Sequence, residues 1–286
     1  MRILFYLLAG YALVVGIAYM VQHKLLYFPD PTPPQAATMS VGEGMALAVW
    51  PAGGAAFRGY LGVGPAVAAP GRGTVVVFHG NAGSARDRVY YLAALAARGY
   101  RVILAEYPGY GGRDGEMGEA SFARDGRETV RQAWQAFGGP LLVWGESLGA
   151  AVAAAVAADP ALPVTGVALI TPWDNLPALA QDLYWYLPAR WLLRDRYDNA
   201  AHLRGYGGRV ALLLAERDEI IPRRHGQRLY EAVPGPKRLW VFPGAGHNTW
   251  QIEPRAPWWD EVLGWLVPEA TAPDVGRRSG LADSRG

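Results

Sequence analysis

Leu141-Leu142-Val143-Trp144-Gly145-Glu146-Ser147-Leu148-Gly149 is the stretch that decides the fold. Leu141–Trp144 is a short apolar run of the kind that forms a buried strand, and the small residues from Ala150 to Ala158 read as a helix able to pack tightly on a sheet. Between them sits a serine flanked at two residues' distance by glycines. A serine hydroxyl is a poor nucleophile unless a base removes its proton, and a sharp strand-to-helix turn is one way to expose it to such a base. The turn is strained and its neighbours must approach without side chains, which is the work of the two glycines. With 36 glycines in 286 residues the pattern alone is weak, and its strand-before, helix-after setting gives it weight.

The same rhythm extends outward. Thr74–Phe78, Arg101–Ala105, Leu141–Trp144, Val164–Ile170, Arg209–Ala215 and Lys237–Phe242 are short β-rich runs. Helix-length segments lie between or after them: Ser84–Ala97, Gly118–Phe137, Ser147–Ala158, Pro222–Val233 and Gln251–Leu266. Alternation of this kind implies a mostly parallel sheet covered on both faces. Two alternating segments nearer the start, Met45–Trp50 and Phe57–Leu61, read as an antiparallel pair. No internal repeat is present. Almost forty residues separate the strand ending near Ile170 from the one starting near Arg209, with Trp173, Tyr184, Trp185, Tyr186, Trp191 and Tyr197 among them. An interval this long forms a small subdomain or carries function. It reads either as a helical pair closing the core or as a cap, about 172–208, whose aromatics wall a pocket for an acyl or lipid-like substrate.

Composition bounds the rest. The length suits one large domain or two small ones, and 51% of the residues are hydrophobic, ample for a core. The formal net charge of +2 gives no reason to expect nucleic acid as a partner. With no cysteine, disulfides, thiolate metal sites and thiol catalysis are excluded. Ile3 to Val21 is uncharged and, as a helix, would span about 28 Å, close to the hydrocarbon thickness of a bilayer. Its length and the lack of an Ala-x-Ala-like site before Gln22-His23-Lys24 favour a membrane-spanning signal anchor over residues 1–24. A cleaved signal peptide and a buried N-terminal helix are the alternatives. The flanking charges weakly favour an N-terminus inside, placing the rest of the chain outside the cytoplasm. Leu25–Gln35 reads as a Pro-rich connector, and residues 269–286 as a frayed tail.

If Ser147 is the nucleophile it needs a base, an acid to orient that base, and an oxyanion hole. Three of the five histidines follow it. His202 falls in the aromatic interval. His225 lies just inside a helix beginning at Pro222, where a solvent-facing position is expected. His247, in Pro243-Gly244-Ala245-Gly246-His247-Asn248 after the last strand, is the expected base. The acid comes from Glu216-Arg217-Asp218-Glu219 at the end of the preceding strand, with Asp218 favoured and Glu216 and Glu219 as rivals. The oxyanion donors are expected to be the backbone N–H groups of Leu148 and Asn81, the latter in Phe78-His79-Gly80-Asn81-Ala82-Gly83. His79 reads as a structural hydrogen-bonder bracing that loop.

Together these segments resemble the α/β-hydrolase superfamily, and within it the membrane-anchored Bem46-like (ABHD13-like) serine hydrolases. The likeness runs from about residue 3 to 267. It is carried by Leu25-Leu26-Tyr27-Phe28-Pro29, the Phe78–Gly83 segment, Tyr107-Pro108-Gly109-Tyr110-Gly111, the Ser147 turn, Asp218 with Pro222, and Gly246-His247. The resemblance implies an α/β-hydrolase fold over residues 25–268 with a small helical cap, and Ser147, Asp218 and His247 as a catalytic triad. Two residues depart from the pattern: Glu106 before the Tyr-Pro-Gly-Tyr-Gly segment, and Glu146 beside the serine. The implied chemistry is acyl transfer to water through an acyl-enzyme, on carboxylic esters or thioesters, with no metal or organic cofactor required. Amide hydrolysis of the aminopeptidase type, and a non-catalytic membrane-tethered binding or scaffold protein on the same fold, are the competing readings.

Overall fold

The computed structural model describes residues 1–52, 56–67 and 71–268. The expected tail, 269–286, lies outside the described residues. In chain order the elements are α1 (Arg2–Leu26), β1 (Phe28–Pro29), β2 (Thr38–Gly42), β3 (Met45–Trp50), β4 (Gly59–Val63), β5 (Thr74–Phe78) and β6 (Ala82–Gly83). Then come α2 (Val89–Ala96), β7 (Arg101–Ala105), α3 (Glu119–Phe137), β8 (Leu141–Glu146), α4 (Leu148–Ala157) and β9 (Val164–Ile170). The chain continues with α5 (Leu176–Leu183), α6 (Ala189–Leu192), α7 (Asn199–Leu203), β10 (Arg209–Ala215), α8 (Arg223–Ala232), β11 (Lys237–Phe242) and α9 (Trp258–Leu266).

Nine strands form one sheet in the order β11-β10-β9-β8-β5-β7-β4-β3-β2. The first six pair in parallel and the last three antiparallel, so the expected α/β architecture is the one observed. Alternation of side chains along each strand explains why the central runs are apolar throughout. In β8, Leu141 and Val143 point to the core shared with α3 and α4, whereas Leu142 and Trp144 point to the core shared with α2 and α9. Both faces of the strand are buried, so neither set of positions can be polar. Trp144 is fully buried in a group of rings with Tyr91, Trp258 and Trp259.

Some boundaries differ from the sequence reading. The last helix begins at Trp258 rather than Gln251, because Pro254 and Pro257 keep the chain irregular and the two tryptophan indoles donate to Gln251 O and Glu253 O. A 3-10 turn, Ala85–Arg88, precedes α2 where one continuous helix was expected. The early hairpin is β3–β4, shifted to Gly59–Val63, with β2 added at the sheet edge. A two-stranded parallel ladder that sequence patterning did not suggest pairs β1 with β6, Phe28 opposite Ala82 and Pro29 opposite Gly83.

α1 is 25 residues long, with a mean hydropathy of 2.1 in its most apolar window and no fully buried residue, long and apolar enough to cross a membrane. Its last turns rest on the rest of the molecule. Gln22 Nε2 donates to Leu192 O (3.2 Å), Arg194 N donates to Gln22 Oε1 (2.8 Å), and His23 Nε2 lies 3.0 Å from Asp195 Oδ2. Tyr27, buried, donates its hydroxyl to Asp195 at 2.5 Å. The segment after α1 is therefore packed into the fold rather than leading away from it.

Candidate active site

Ser147 stands between β8 and α4 with φ 52° and ψ −118°, a left-handed conformation that costs a non-glycine residue energy and persists only when its surroundings enforce it. Those surroundings are visible. Ser147 N donates to Ile170 O of β9 (2.9 Å), and Ala150 N donates back to Ser147 O (3.0 Å). A Cβ on Gly145 would lie 2.1 Å from Gly149 O, and one on Gly149 would lie 2.0 Å from Phe78 O. Both glycines are thus required by backbone contact, and the turn is wedged against the end of β5.

The structure brings the other predicted residues to this serine. Asp218 follows β10 and His247 follows β11, adjacent parallel strands whose C-terminal ends lie on the same edge as that of β8. His247 Nε2 is 3.1 Å from Ser147 Oγ, and its Nδ1 is 2.9 Å from Asp218 Oδ2 and 3.0 Å from Oδ1. A carboxylate only accepts, so Nδ1 carries the proton and Nε2 is left free to accept from the serine hydroxyl. Asp218 is itself fixed, its Oδ1 accepting from Ile220 N (3.0 Å) and Ile221 N (2.7 Å). The rival acids act on the backbone of the same loop: Glu219 accepts from His247 N (3.0 Å) and Glu216 from Gly244 N (2.7 Å). The hydrogen bond from His247 N holds the Glu219 carboxyl below its ordinary 4.5. All three carboxylates therefore place the histidine, and one of them touches its ring.

Leu148 N, at the first turn of α4, and Asn81 N, on the loop after β5, donate to no protein acceptor among the described residues. Gly80 packs against the serine, with a Cβ there falling 3.7 Å from Ser147 Cβ. The loop is pinned on its far side. Asn81 O accepts from Phe28 N (2.9 Å) and Tyr110 OH (2.7 Å), while Asn81 Nδ2 donates to Leu26 O (2.8 Å). His79 is buried, with Nδ1 2.7 Å from Gly80 O and Nε2 2.8 Å from Glu106 Oε1, so its place is beneath the loop and not at the serine. Glu106 also accepts from Ala85 N (3.0 Å) and Tyr107 N (3.2 Å). This first departure from the family pattern is an internal brace.

The second departure, Glu146, does face the site. Its carboxylate pairs with Arg88 and accepts from Tyr90 OH (2.6 Å) and Tyr91 OH (3.3 Å). Burial alone would lower the Arg88 pKa, but the adjacent Glu146 charge more than offsets it and the group is held above its ordinary value. Burial and the same carboxylate push Tyr90 upward. Sequence reading missed Arg88, Tyr90 and Tyr91 as partners because nothing in their spacing points across the sheet to Glu146. It also misplaced His225, which is fully buried rather than solvent-facing. Its ring sits between Asp174 (Nδ1, 2.7 Å) and Asp182 (Nε2, 3.1 Å), because Gly226 brings α8 close onto Leu214. His202, on α7, is half-buried, and burial lowers its pKa.

Ser147 and His247 open onto a cavity of about 760 Å³. Its walls are mainly apolar, with Leu176, Leu179, Leu187 and Leu192 from the 171–208 interval opposite Ile220 and Trp250. One wall is unexpected: Ala18, Gln22, Leu25 and Leu26 of α1. Among the described residues no group of three His, Asp or Glu side chains is arranged to hold a metal ion.

A serine strained at a strand–helix elbow, reached by a histidine and an aspartate from the ends of later parallel strands, defines an α/β-hydrolase, and the chain belongs to that family. The family model for the alpha/beta hydrolase fold matches residues 73–206. An uncharacterized protein of Mycobacterium tuberculosis (strain ATCC 25618 / H37Rv), Rv2307c, is 32% identical over 246 residues, 82% of this chain and 83% of its own. Lysophosphatidylserine lipase ABHD12 of Danio rerio is 28% identical over 184 residues, 58% of this chain and 48% of the lipase. In fold, the chain is similar to the Pyrococcus furiosus esterase Pf2001, with a TM-score of 0.58 at 17% identity over 84% of this chain and 97% of that one.

Proposed function

We propose that the protein is a membrane-anchored serine hydrolase that cleaves carboxylic esters or thioesters through an acyl-enzyme. The observation that carries this reading is the Ser147–His247–Asp218 chain of hydrogen bonds at 3.1 and 2.9 Å. His247 Nε2 takes the hydroxyl proton as Ser147 Oγ attacks the carbonyl, Asp218 holds the imidazole's tautomer, and the free Leu148 and Asn81 amides receive the oxyanion. His247 then protonates the leaving group, and water repeats the cycle on the acyl-enzyme. α1 is the anchor, the interval from about 172 to 208 is the cap, and together they give the acyl group its apolar walls. An ester is favoured over an aminoacyl amide because Glu146, the carboxylate among the cavity-lining residues, is already engaged by Arg88 and two tyrosines and has no charge to spare for an amine. The ABHD12 relative, a lysophosphatidylserine lipase by name, points the same way.

Fluorophosphonate labelling of the detergent-solubilised protein, read by intact mass, tests it. One adduct is expected on the wild type and none on Ser147→Ala. An unlabelled wild type that is folded by circular dichroism would remove the enzyme assignment.

A further inference from the structure

The anchor and the cap meet over a longer distance than a tether requires. Tyr11 OH donates to Tyr186 O (3.1 Å), Arg194 lies over the Tyr19 ring at 4.5 Å, and Gln22 bonds both Leu192 and Arg194. Segment 186–194 therefore runs beside α1 from the level of Tyr11 to that of Tyr19. Eight helical residues span about 12 Å, most of one leaflet of a hydrocarbon core roughly 30 Å thick. The half-buried residues of α1 are Val15, Gly16, Ala18, Val21, Gln22, His23 and Leu26; Val15, Ala18, Gln22 and Leu26 recur along one face, and the last three of these line the cavity.

The turn between α5 and α6 is unlike an ordinary protein surface. Trp185 is 78% exposed, Trp191 75% and Tyr186 54%, with Leu183 and Tyr184 exposed beside them. Between Asp182 and Arg194 the only charge is Arg190, which stacks on Trp191 at 5.0 Å and has a stem long enough to reach the headgroups. A contiguous aromatic and apolar surface of this kind marks an interaction site. Its occupant is set by its neighbour: whatever surrounds α1 at Tyr11 also surrounds Tyr186.

We propose that the cap turn, residues 184–191, is submerged in the same leaflet as the C-terminal half of α1, and that the catalytic cavity opens sideways between them into the acyl-chain region. This rests on the membrane reading of α1 given above. The substrate is then a bilayer lipid ester whose chain slides along Ala18, Gln22 and Leu25 to Ser147 without entering water. It also makes α1 part of the substrate site, so the anchor is retained in the working enzyme.

The cysteine-free chain allows a direct test in reconstituted proteoliposomes of phosphatidylcholine and phosphatidylglycerol. Single nitroxide labels go on Trp185→Cys, Trp191→Cys, Leu8→Cys within α1, and Glu231→Cys on the exposed end of α8. Collision with oxygen against a water-soluble nickel chelate reports depth. Labels at 185 and 191 are expected to share the oxygen-dominated signature of position 8, with 231 nickel-dominated. Nickel-dominated signals at 185 and 191 with position 8 still deep would overturn the cap insertion while leaving the anchor. A nickel-dominated position 8 would overturn both. For the opening, Ala18→Trp should lower hydrolysis of a vesicle-embedded long-chain ester at least tenfold. Gly10→Trp, placed where no atom lies within 4 Å of a Cβ, should match wild type. Equal rates for both variants, with matched unfolding midpoints, would refute entry along α1.

Discussion

Glu106→Gln is the substitution that separates the brace beneath the Phe78–Gly83 loop from the chemistry proposed above it. Both nitrogens of the buried His79 ring face oxygen atoms, Gly80 O at 2.7 Å and Glu106 Oε1 at 2.8 Å, so the ring is held between the loop and the Glu106 carboxyl group. A glutamine oxygen can replace one acceptor, but its amide group then confronts the Ala85 N–H that the second carboxylate oxygen now receives at 3.0 Å. Leaving a buried hydrogen-bonding group unsatisfied typically costs about 1–3 kcal/mol. With an m value of about 3 kcal/mol per M, the urea midpoint should fall by roughly 0.3–1 M. In the folded fraction the loop carrying Asn81 is loosened. Loss of an oxyanion donor is worth about 10²–10³ in kcat, so kcat should fall towards that range with KM little changed. Asp260→Asn removes an exposed partner of Arg98 and serves as the control, with an expected effect of about 0–1 kcal/mol. Urea unfolding in detergent and ester kinetics on both variants give the answer. A Glu106→Gln midpoint within about 0.2 M of wild type, with kcat unchanged, would refute the buried hydrogen-bond brace and the loop's dependence on it.

Asp218→Asn should fold normally and turn over esters on the order of 10⁴-fold more slowly, as the imidazole adopts the wrong tautomer; retained activity would transfer the acid's role to Glu216 or Glu219. Gly149→Ala places a Cβ 2.0 Å from Phe78 O and should lower the thermal midpoint sharply, whereas Gly264→Ala, in α9 with nothing within 4 Å, should raise stability by roughly 0.5–1 kcal/mol. Burial raises the Asp174 pKa, but hydrogen bonds from His225 and Arg228 outweigh it and hold the carboxyl below its ordinary 3.8. The stability it contributes is present above 3.8 and is lost as pH falls through the lower folded value. Urea midpoints from pH 7 down to about 3 should therefore fall more steeply at the acid end for wild type than for Asp174→Asn, and parallel curves would remove Asp174 from that role.

The sheet and the serine turn were legible in the sequence because each central strand is buried on both faces and so appears as an unbroken apolar run. Asp218 and His247 could be placed from chain order, each following such a run. What was not legible depends on contacts between distant segments. β1 and β6 are two residues each, too short for any alternation, and they pair across more than fifty positions. His225 sits in Arg223-Arg224-His225-Gly226-Gln227-Arg228, which reads as a solvated helix start, and it is buried by the close approach of α8 to Leu214 and the arrival of Asp174 and Asp182 from the segment after β9. The α1 wall of the cavity was invisible for the same reason. Hydrophobicity alone states that a helix can enter a bilayer, not which of its faces stays with the protein.

The β1–β6 ladder leaves no slack between α1 and the candidate active site. Tyr27 N still donates to His23 O as α1 ends, and the next residue, Phe28, donates to Asn81 O. A flexible tether would let a catalytic domain roam above the membrane and sample substrate by volume. With α1 as the proposed anchor, the serine would stand at one height over the surface, and its supply would be measured by area. On the reading given above, turnover should follow the mole fraction of substrate in the bilayer, and dilution with inert lipid should slow the enzyme as dilution with buffer does not.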